Sequence, residues 1–281
     1  MKNSNYWLKR QKKLLDQSID ELNALMVNDL ENAFRTIYTD IIDMYSKILG
    51  EDGKPLKSHL YAYNRYYKLL KKIQTQLADL GVLEEKYIGD YLTKMYEDNS
   101  KLIGEEFSLS TNIDKERIRE ICNTDWLGDG KNWSDRIWAN QSDLANTLRQ
   151  EIVSAVATGK SVDNMSKILM DRFNVEYYKA KRICVTELAH VQIQSTVDKY
   201  KEAGVKKVKV VAAMDDRTCE KCKEWNNTIV DIDKIQYGVN VPPKHCFADA
   251  LLWQFGMTKT IEPKSYILRR FNYDRRSLER C

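Results

Sequence analysis

Cys219-Glu220-Lys221-Cys222 is the sharpest chemical pattern in this chain of 281 residues. A C-x2-C pair just after a strand is the usual geometry for two thiolates at one zinc ion. His245 and Cys246, which follow Pro242-Pro243, are the candidate second half, although adjacent residues rarely both reach one ion. A reduced knuckle without metal accounts for the same residues. A redox role for the pair is weaker, because no helix start is expected behind it to lower a thiol pKa. Asp215 and Asp216 beside the knuckle read as a cation ligand or, equally well, as a solvated turn. Zinc deaminase chemistry needs His-x-Glu ahead of the cysteines. The residues two after His59, His190 and His245 are Tyr61, Gln192 and Phe247, so that reading fails. His-Glu-x-x-His, a Walker loop, G-x-G-x-x-G and G-x-S-x-G are also missing from the sequence. With no catalytic constellation, the expectation is a protein that is not an enzyme.

Thr186, Glu187 and His190 form the second cluster. Glu187 and His190 are spaced i, i+3 on one helical face beside Ile183. A carboxylate on an apolar face requires a partner, since burying it alone is costly. The favoured reading is a buried polar tie between this helix and the β knuckle, ahead of catalysis.

The elements that hold these residues are mainly helical. Leu8, Leu15, Ile19, Leu22, Met26, Leu30, Phe34, Ile37, Ile41, Tyr45 and Ile48 recur at helical spacing until Gly50. A second stretch, Leu60 to Leu80, is expected to stop at Gly81, with a third running from Leu83 to Leu102. Gly128-Asp129-Gly130 marks the expected domain boundary. Ser134 is the expected cap of a helix that stops at Thr158-Gly159. A short helix from Ser161 to Leu169 and a longer one from Glu176 to Ala203 follow. The period then changes, with strands expected at Val205–Val211 and Thr228–Val230 and Asn226-Asn227 as the turn between them. The fold class is mainly α: a long-helix bundle, then a helical C-terminal part ending in a small β/Cys-x2-Cys knuckle.

Composition supports this and narrows the function classes. Hydrophobic residues make up 43% and charged residues 31%, so a core is affordable and wholesale disorder is not expected. Net charge is +4 over the whole chain, too little to point by itself to nucleic acid. No apolar run approaches the roughly 18 residues that cross a bilayer, and the opening residues lack the apolar stretch of a signal peptide. Six scattered cysteines suit a reducing compartment.

An ordered set of segments resembles the phage minor head proteins, also called Mu-F-like head morphogenesis proteins. It runs from Arg136-Ile137-Trp138 and Leu144-Ala145 through Gly159-Lys160-Ser161 and Phe173-Asn174-Val175 to Thr186-Glu187-Leu188-Ala189-His190. It continues through Asp216-Arg217-Thr218-Cys219-Glu220-Lys221-Cys222 to Pro242-Pro243-Lys244-His245. The resemblance covers residues 5 to 245 and implies a procapsid or virion protein associated with the portal. Capsid or scaffolding proteins and phage DNA are the further partners it implies. The protein would assemble in the host cytoplasm, end in the virion interior, and have no membrane anchor. Two departures stand out. The family reads Arg-Thr-Glu where Val185-Thr186-Glu187 stands, and His-Pro-x-Cys-Arg where His245-Cys246-Phe247 stands.

The expected organisation is 1–132, a helical N-terminal domain; 133–246, the head-morphogenesis domain; and 247–281, an atypical basic tail. Residues 264–281 hold six basic and two acidic residues, and a frame shift near His245 is the expectation for that tail. Two other function classes compete with the head protein. The first is a zinc-knuckle nucleic-acid-binding protein, with phosphate contacts from Lys2, Lys9, Arg10, Lys12 and Lys13 and from Arg269, Arg270, Arg275, Arg276 and Arg280. The second is a nuclease or toxin carrying a head-protein-like module.

Overall fold

A computed structural model describes residues 4–110, 113–212, 220–241 and 250–255. Asp215, Asp216, Cys219, Pro242, Pro243, His245, Cys246 and the tail beyond 255 lie outside the described residues. Helix α1 spans Ser4–Ser46, α2 Lys57–Tyr61, α3 Arg65–Phe107 and α4 Lys115–Asn123. Helix α5 spans Trp133–Ala157 and α6 Val162–Glu202. Strand β1 (Lys207–Ala212), helix α7 (Glu220–Trp225), β2 (Ile229–Asp231) and β3 (Ala250–Phe255) complete the order. The mainly helical reading with a small β element is what the structure shows.

Helices α1 and α3, of 43 residues each, are about 65 Å long at ~1.5 Å per residue. Local chemistry sets the helix starts. Asp114 accepts from the backbone N–H of Glu116 and Arg117 to open α4. Asn132 and Asp135 bond each other's backbone N–H in a capping box that opens α5. The cap is therefore two residues earlier than the expected Ser134. Ser161 accepts from Asn164 N–H to open α6.

Two expected breaks are missing. Helix α3 runs straight through Gly81, where a Cβ would come within 2.9 Å of Trp138 Cζ3 on α5. Gly81 thus serves a close helix–helix approach, not a stop. Helix α6 is likewise continuous, because Met165, Leu169, Phe173, Glu176 and Ala180 form one buried stripe across the expected gap.

Helix α6 is the axis of the molecule. Every residue from Ile183 to Ile193 is buried, which requires neighbours on all sides. Helices α1, α3, α4 and α5 supply them in the core that holds Ile183, Leu188 and Val191. One core joins Ile37, Ile41 and Tyr45 of α1, Leu69, Ile73 and Leu77 of α3, Leu148 and Ile152 of α5, and Met165 and Leu169 of α6. A second joins Leu15 and Leu22, Ile88 and Leu92, Ile118 and Ile121, Ile137 and Leu188. Each fully buried Leu or Ile contributes about 1.5–3 kcal/mol. The expected boundary at 132/133 falls in the loop before α5, and both sides of it feed the same two cores.

The sheet has the order β2-β1-β3, antiparallel throughout. Val208 and Val210 of β1, with Cys222, Trp225 and Ile232, pack on Ile193, Val197 and Tyr200 of α6 and Ile103 of α3. Two features differ from the sequence reading. The link between β1 and β2 is a longer excursion that includes α7, and Asn227 enters β2 at φ +67° after its N–H bonds Val210 O. Ala250–Phe255, six residues of the expected tail, form the third strand and pair with β1 from Lys207↔Phe255 to Ala212↔Ala250. Part of the reason is visible in the segment itself: the aromatic Trp253 and Phe255 favour extended backbone, and β1 offers the matching edge.

Candidate functional site

Glu187, His190, Gln194 and Asp198 follow one another along α6 at steps of three and four, so they share one face. Three segments close over that face: α4, the loop between α4 and α5, and the loop after β2.

The loop between α4 and α5 is shaped by its own carboxylates. Asp125 Oδ1 accepts from Gly128 N–H at 2.8 Å and Asp129 N–H at 3.3 Å, while Oδ2 accepts from Gly130 N–H at 2.6 Å. Gly128 and Gly130 sit at φ +73° and +78°, the left-handed region that glycine takes without strain. Arg136 of α5 clamps Asp129 with two bonds of 2.9 and 2.8 Å, which holds the Asp129 carboxyl well below the usual range. The buckle delivers Trp126 to α6. Its Nε1 donates to Glu187 Oε2 at 2.9 Å, and its ring lies flat on His190 with centroids 4.5 Å apart.

From the other side Tyr237 meets His190 edge-on, centroids 4.7 Å apart, and its hydroxyl donates to Gln194 Oε1. Gln194 Nε2 donates to Asp198 Oδ1 at 3.1 Å. Asp198 also accepts from Tyr96 of α3 at 2.9 Å and from Arg117 of α4 at 3.0 and 3.2 Å. One face of α6 is thereby bonded to α3, α4 and both loops.

The electrostatics follow from burial. It pushes the Glu187 carboxyl up to about 7, against the Trp126 bond and the Arg136 charge, which pull it down. It takes the His190 imidazole down to about 3, so the ring is neutral at physiological pH. The Cys122 thiol is pushed up to about 11, first by burial and then by the Glu187 charge. Thr186 Oγ1 and His190 Nδ1 have no hydrogen-bond partner among the described residues. The arrangement locks elements together and keeps a protonatable acid next to a neutral ring.

Thr186, Glu187 and His190 are all buried on α6, but the Glu187 hydrogen bond runs to Trp126 of the loop between α4 and α5 and not to the expected β knuckle. Their partners Trp126 and Tyr237 carried no spacing signal, since they reach the helix from loops. Asp129 and Arg136 were visible in the sequence only as parts of a boundary and of a family segment. Cys222 is buried in α7 within the apolar cluster under the sheet. That helix begins at Glu220, so a helix does follow Cys219, contrary to the sequence expectation. Cys219, His245 and Cys246 lie outside the described residues. Among the described residues no group of three or more His, Cys, Asp or Glu is placed to hold a metal ion.

Two of the N-terminal cations invoked for nucleic-acid binding are tied to carboxylates. Arg10 donates to Glu105 at 2.9 Å and Lys12 to Asp16 at 3.1 Å. Arg10 and Lys13 also line an open groove of about 370 Å³ between α1 and α3, where Lys101 is paired with Asp98. No helix among the described residues is long and apolar enough to cross a membrane.

Residues 146–248 match the family described as Phage Mu protein F like protein. The match takes in the end of α5, all of α6 with Thr186, Glu187 and His190, and β1, α7 and β2. It supports the resemblance drawn from the sequence. A curated protein of Enterococcus faecalis, NAD(+)--arginine ADP-ribosyltransferase EFV, is 25% identical over 246 residues, covering 83% of this chain and 49% of that protein. The chain therefore spans about half the length of this curated relative. No solved structure matches the chain.

Proposed function

We propose that this chain is a phage minor head protein that acts in head morphogenesis as a structural component of the procapsid. The observation that carries this reading is the family match over residues 146–248, which coincides with the axial helix and its bonded face. A protein that bridges assembling shells needs long rigid elements. The 43-residue α1 and α3, packed on α6 and with α3 bonded to its Glu187–Asp198 face through Tyr96, fit that need. The portal is the proposed partner, with capsid or scaffolding proteins beside it and DNA packaging or ejection as the process served. On this reading the chain has no catalytic role of its own. Co-purification tests it: tagged protein should bring down portal protein from a procapsid lysate. Recovery of free chain alone, with portal present in the same lysate, would remove the portal assignment.

A second reading is favoured by one observation, the alignment of this chain with about half of a protein named as an ADP-ribosyltransferase. On that reading this chain itself would transfer ADP-ribose from NAD+ to an arginine acceptor. Incubation with labelled NAD+ and an arginine-containing acceptor separates the two. Label transfer by this chain supports the second reading and counts against the first.

Zinc belongs to the proposal as a fastener of the knuckle, with Cys219 and Cys222 supplying thiolates and His245 and Cys246 the remaining donors. Elemental analysis of protein purified without chelator decides it. About one equivalent supports the site, and less than about a tenth leaves a metal-free knuckle.

A further inference from the structure

The helical bundle buries two carboxyl groups that the bonded face of α6 does not use. Glu84 of α3 and Glu176 of α6 are 3% and 2% exposed. Gln141 of α5, equally buried, donates Nε2 to Glu84 Oε2 at 2.8 Å. Three oxygens, Glu84 Oε1, Gln141 Oε1 and Glu176 Oε1, are left buried with no hydrogen-bond partner among the described residues. Acceptors stranded in a dry interior cost as much as lost hydrogen bonds, and an unpaired charge costs more.

The charges around the pair do not cure this. Lys179 Nζ is 3.5 Å from Glu176 Oε2, on the same helix and at the other carboxylate oxygen. Asp143 of α5 adds a like charge to Glu176, and Glu176 adds one to Glu84. Lys181 and Glu84 both act on the buried Cys184 thiol, which meets Met26 of α1 at 2.9 Å. On α1, Asp29 is engaged by Tyr87 of α3.

We propose that Glu84 is a neutral carboxylic acid in the folded protein, its Oε1–H donated to Gln141 Oε1. The two side chains then form a closed acid–amide pair with two hydrogen bonds, Nε2–H to Oε2 and O–H to Oε1. One proton from solvent satisfies two of the three stranded oxygens and removes one of two neighbouring charges. Loss of that proton leaves two carboxylates on α3 and α6 and an orphaned amide oxygen on α5, so the α3–α5–α6 junction is a pH-sensitive device. The electrostatics agree: burial, helped by the Glu176 charge, pushes Glu84 up to about 8 against the Gln141 bond, and burial pushes Glu176 up to about 7. The folded value above the ordinary 4.5 means that this contribution to stability is full at acid pH. It is lost as pH rises toward about 8.

Infrared spectroscopy of the whole chain reads the acid directly. At pH 7.5 the carboxyls that titrate near 7, Glu176 and Glu187 among them, are mostly ionised. A protonated-carboxyl C=O component should remain there, fade above pH 8 and be lost in Glu84→Gln. In Glu176→Gln it should persist, because the acid is Glu84. The same Glu84→Gln variant keeps a neutral two-bond pair, so its thermal midpoint should exceed the parent's at pH 8.5 by roughly 3 °C or more. The gap should close toward pH 5. Should Glu84→Gln fail to fold, the infrared titration of the parent and of Glu176→Gln still decides the matter. No acid component titrating near pH 8, such a component lost in Glu176→Gln, or a midpoint gap that ignores pH would each overturn the proposal. So would a midpoint raised by Mg2+ or Mn2+ in the parent but not in Glu84→Gln, which would make these oxygens cation ligands.

Discussion

Trp126 Nε1 donates to Glu187 Oε2 at 2.9 Å across 61 positions of the chain, and that bond fixes where the α4–α5 loop meets the axial helix. Trp126→Phe keeps an aromatic face against His190 but removes the N–H. A buried carboxyl oxygen then loses its donor, so the variant is expected to lose about 1–3 kcal/mol. Urea unfolding followed by far-UV circular dichroism measures it, and a loss below a few tenths would show that water replaces the indole.

Glu187 and His190 give the stability curve two opposed slopes. The Glu187 carboxyl titrates near 7 when folded against 4.5 ordinarily. The folded state therefore holds the extra proton between those values, and stability falls as pH rises through 7. His190 is lowered from 6.5 to about 3, so the folded state holds fewer protons there and stability falls as pH drops below 6.5. Glu187→Gln should flatten the neutral-side slope and His190→Phe the acid-side slope. Thermal midpoints of parent and variants between pH 4 and 8.5 test both signs.

Much of this was legible in the sequence, and the failures have physical reasons. The apolar spacing of α1 carried a 43-residue helix almost to its true end. Gly81 misled because a glycine inside a helix reads as a stop, whereas its missing Cβ makes room for Trp138. Glu176 misled because a charge reads as a helix start, although its place four before Ala180 and three after Phe173 puts it on the buried stripe. Glu84, four before Ile88, could have been found the same way. Thr186, Glu187 and His190 were found because their partners are implied by burial. Trp126 and Tyr237 were not, since a loop residue's destination is set by tertiary geometry that no local period records.

Asn99 should be the most sensitive polar residue of α3. Its amide Nδ2 lies 3.0 Å from Gln192 O and 2.8 Å from both Ser195 Oγ and Thr196 Oγ1 on α6, and its side chain is fully buried. Asn99→Leu fills the volume but takes the amide donor from the Ser195 and Thr196 hydroxyl oxygens, while Gln192 O still accepts from both hydroxyls. A loss of about 2–4 kcal/mol is expected in urea unfolding, with Ser195→Ala costing less because Thr196 and Gln192 O remain engaged.

The buckle at Asp125 should control access to the bonded face of α6. Its two oxygens hold three backbone N–H groups between 2.6 and 3.3 Å, and Asp129 carries the loop onto α5 through Arg136. Exposed loop tips are where proteases cut first, and 128–133 is where the sequence already marks a boundary. In the parent the first cut by limited trypsin is expected after Lys131, the exposed lysine of that tip. Asp125→Ala frees three N–H groups that water can solvate, so the global loss should be small, about 1 kcal/mol or less. The local effect should be large. Trp126 loses the frame that delivers it to Glu187, cleavage after Lys131 should speed up, and hydrogen exchange should rise in 124–132 while α6 residues 183–193 stay protected. If exchange rises equally through α6, the buckle and the axial helix unfold together, and the loop is then part of the core and not a latch upon it.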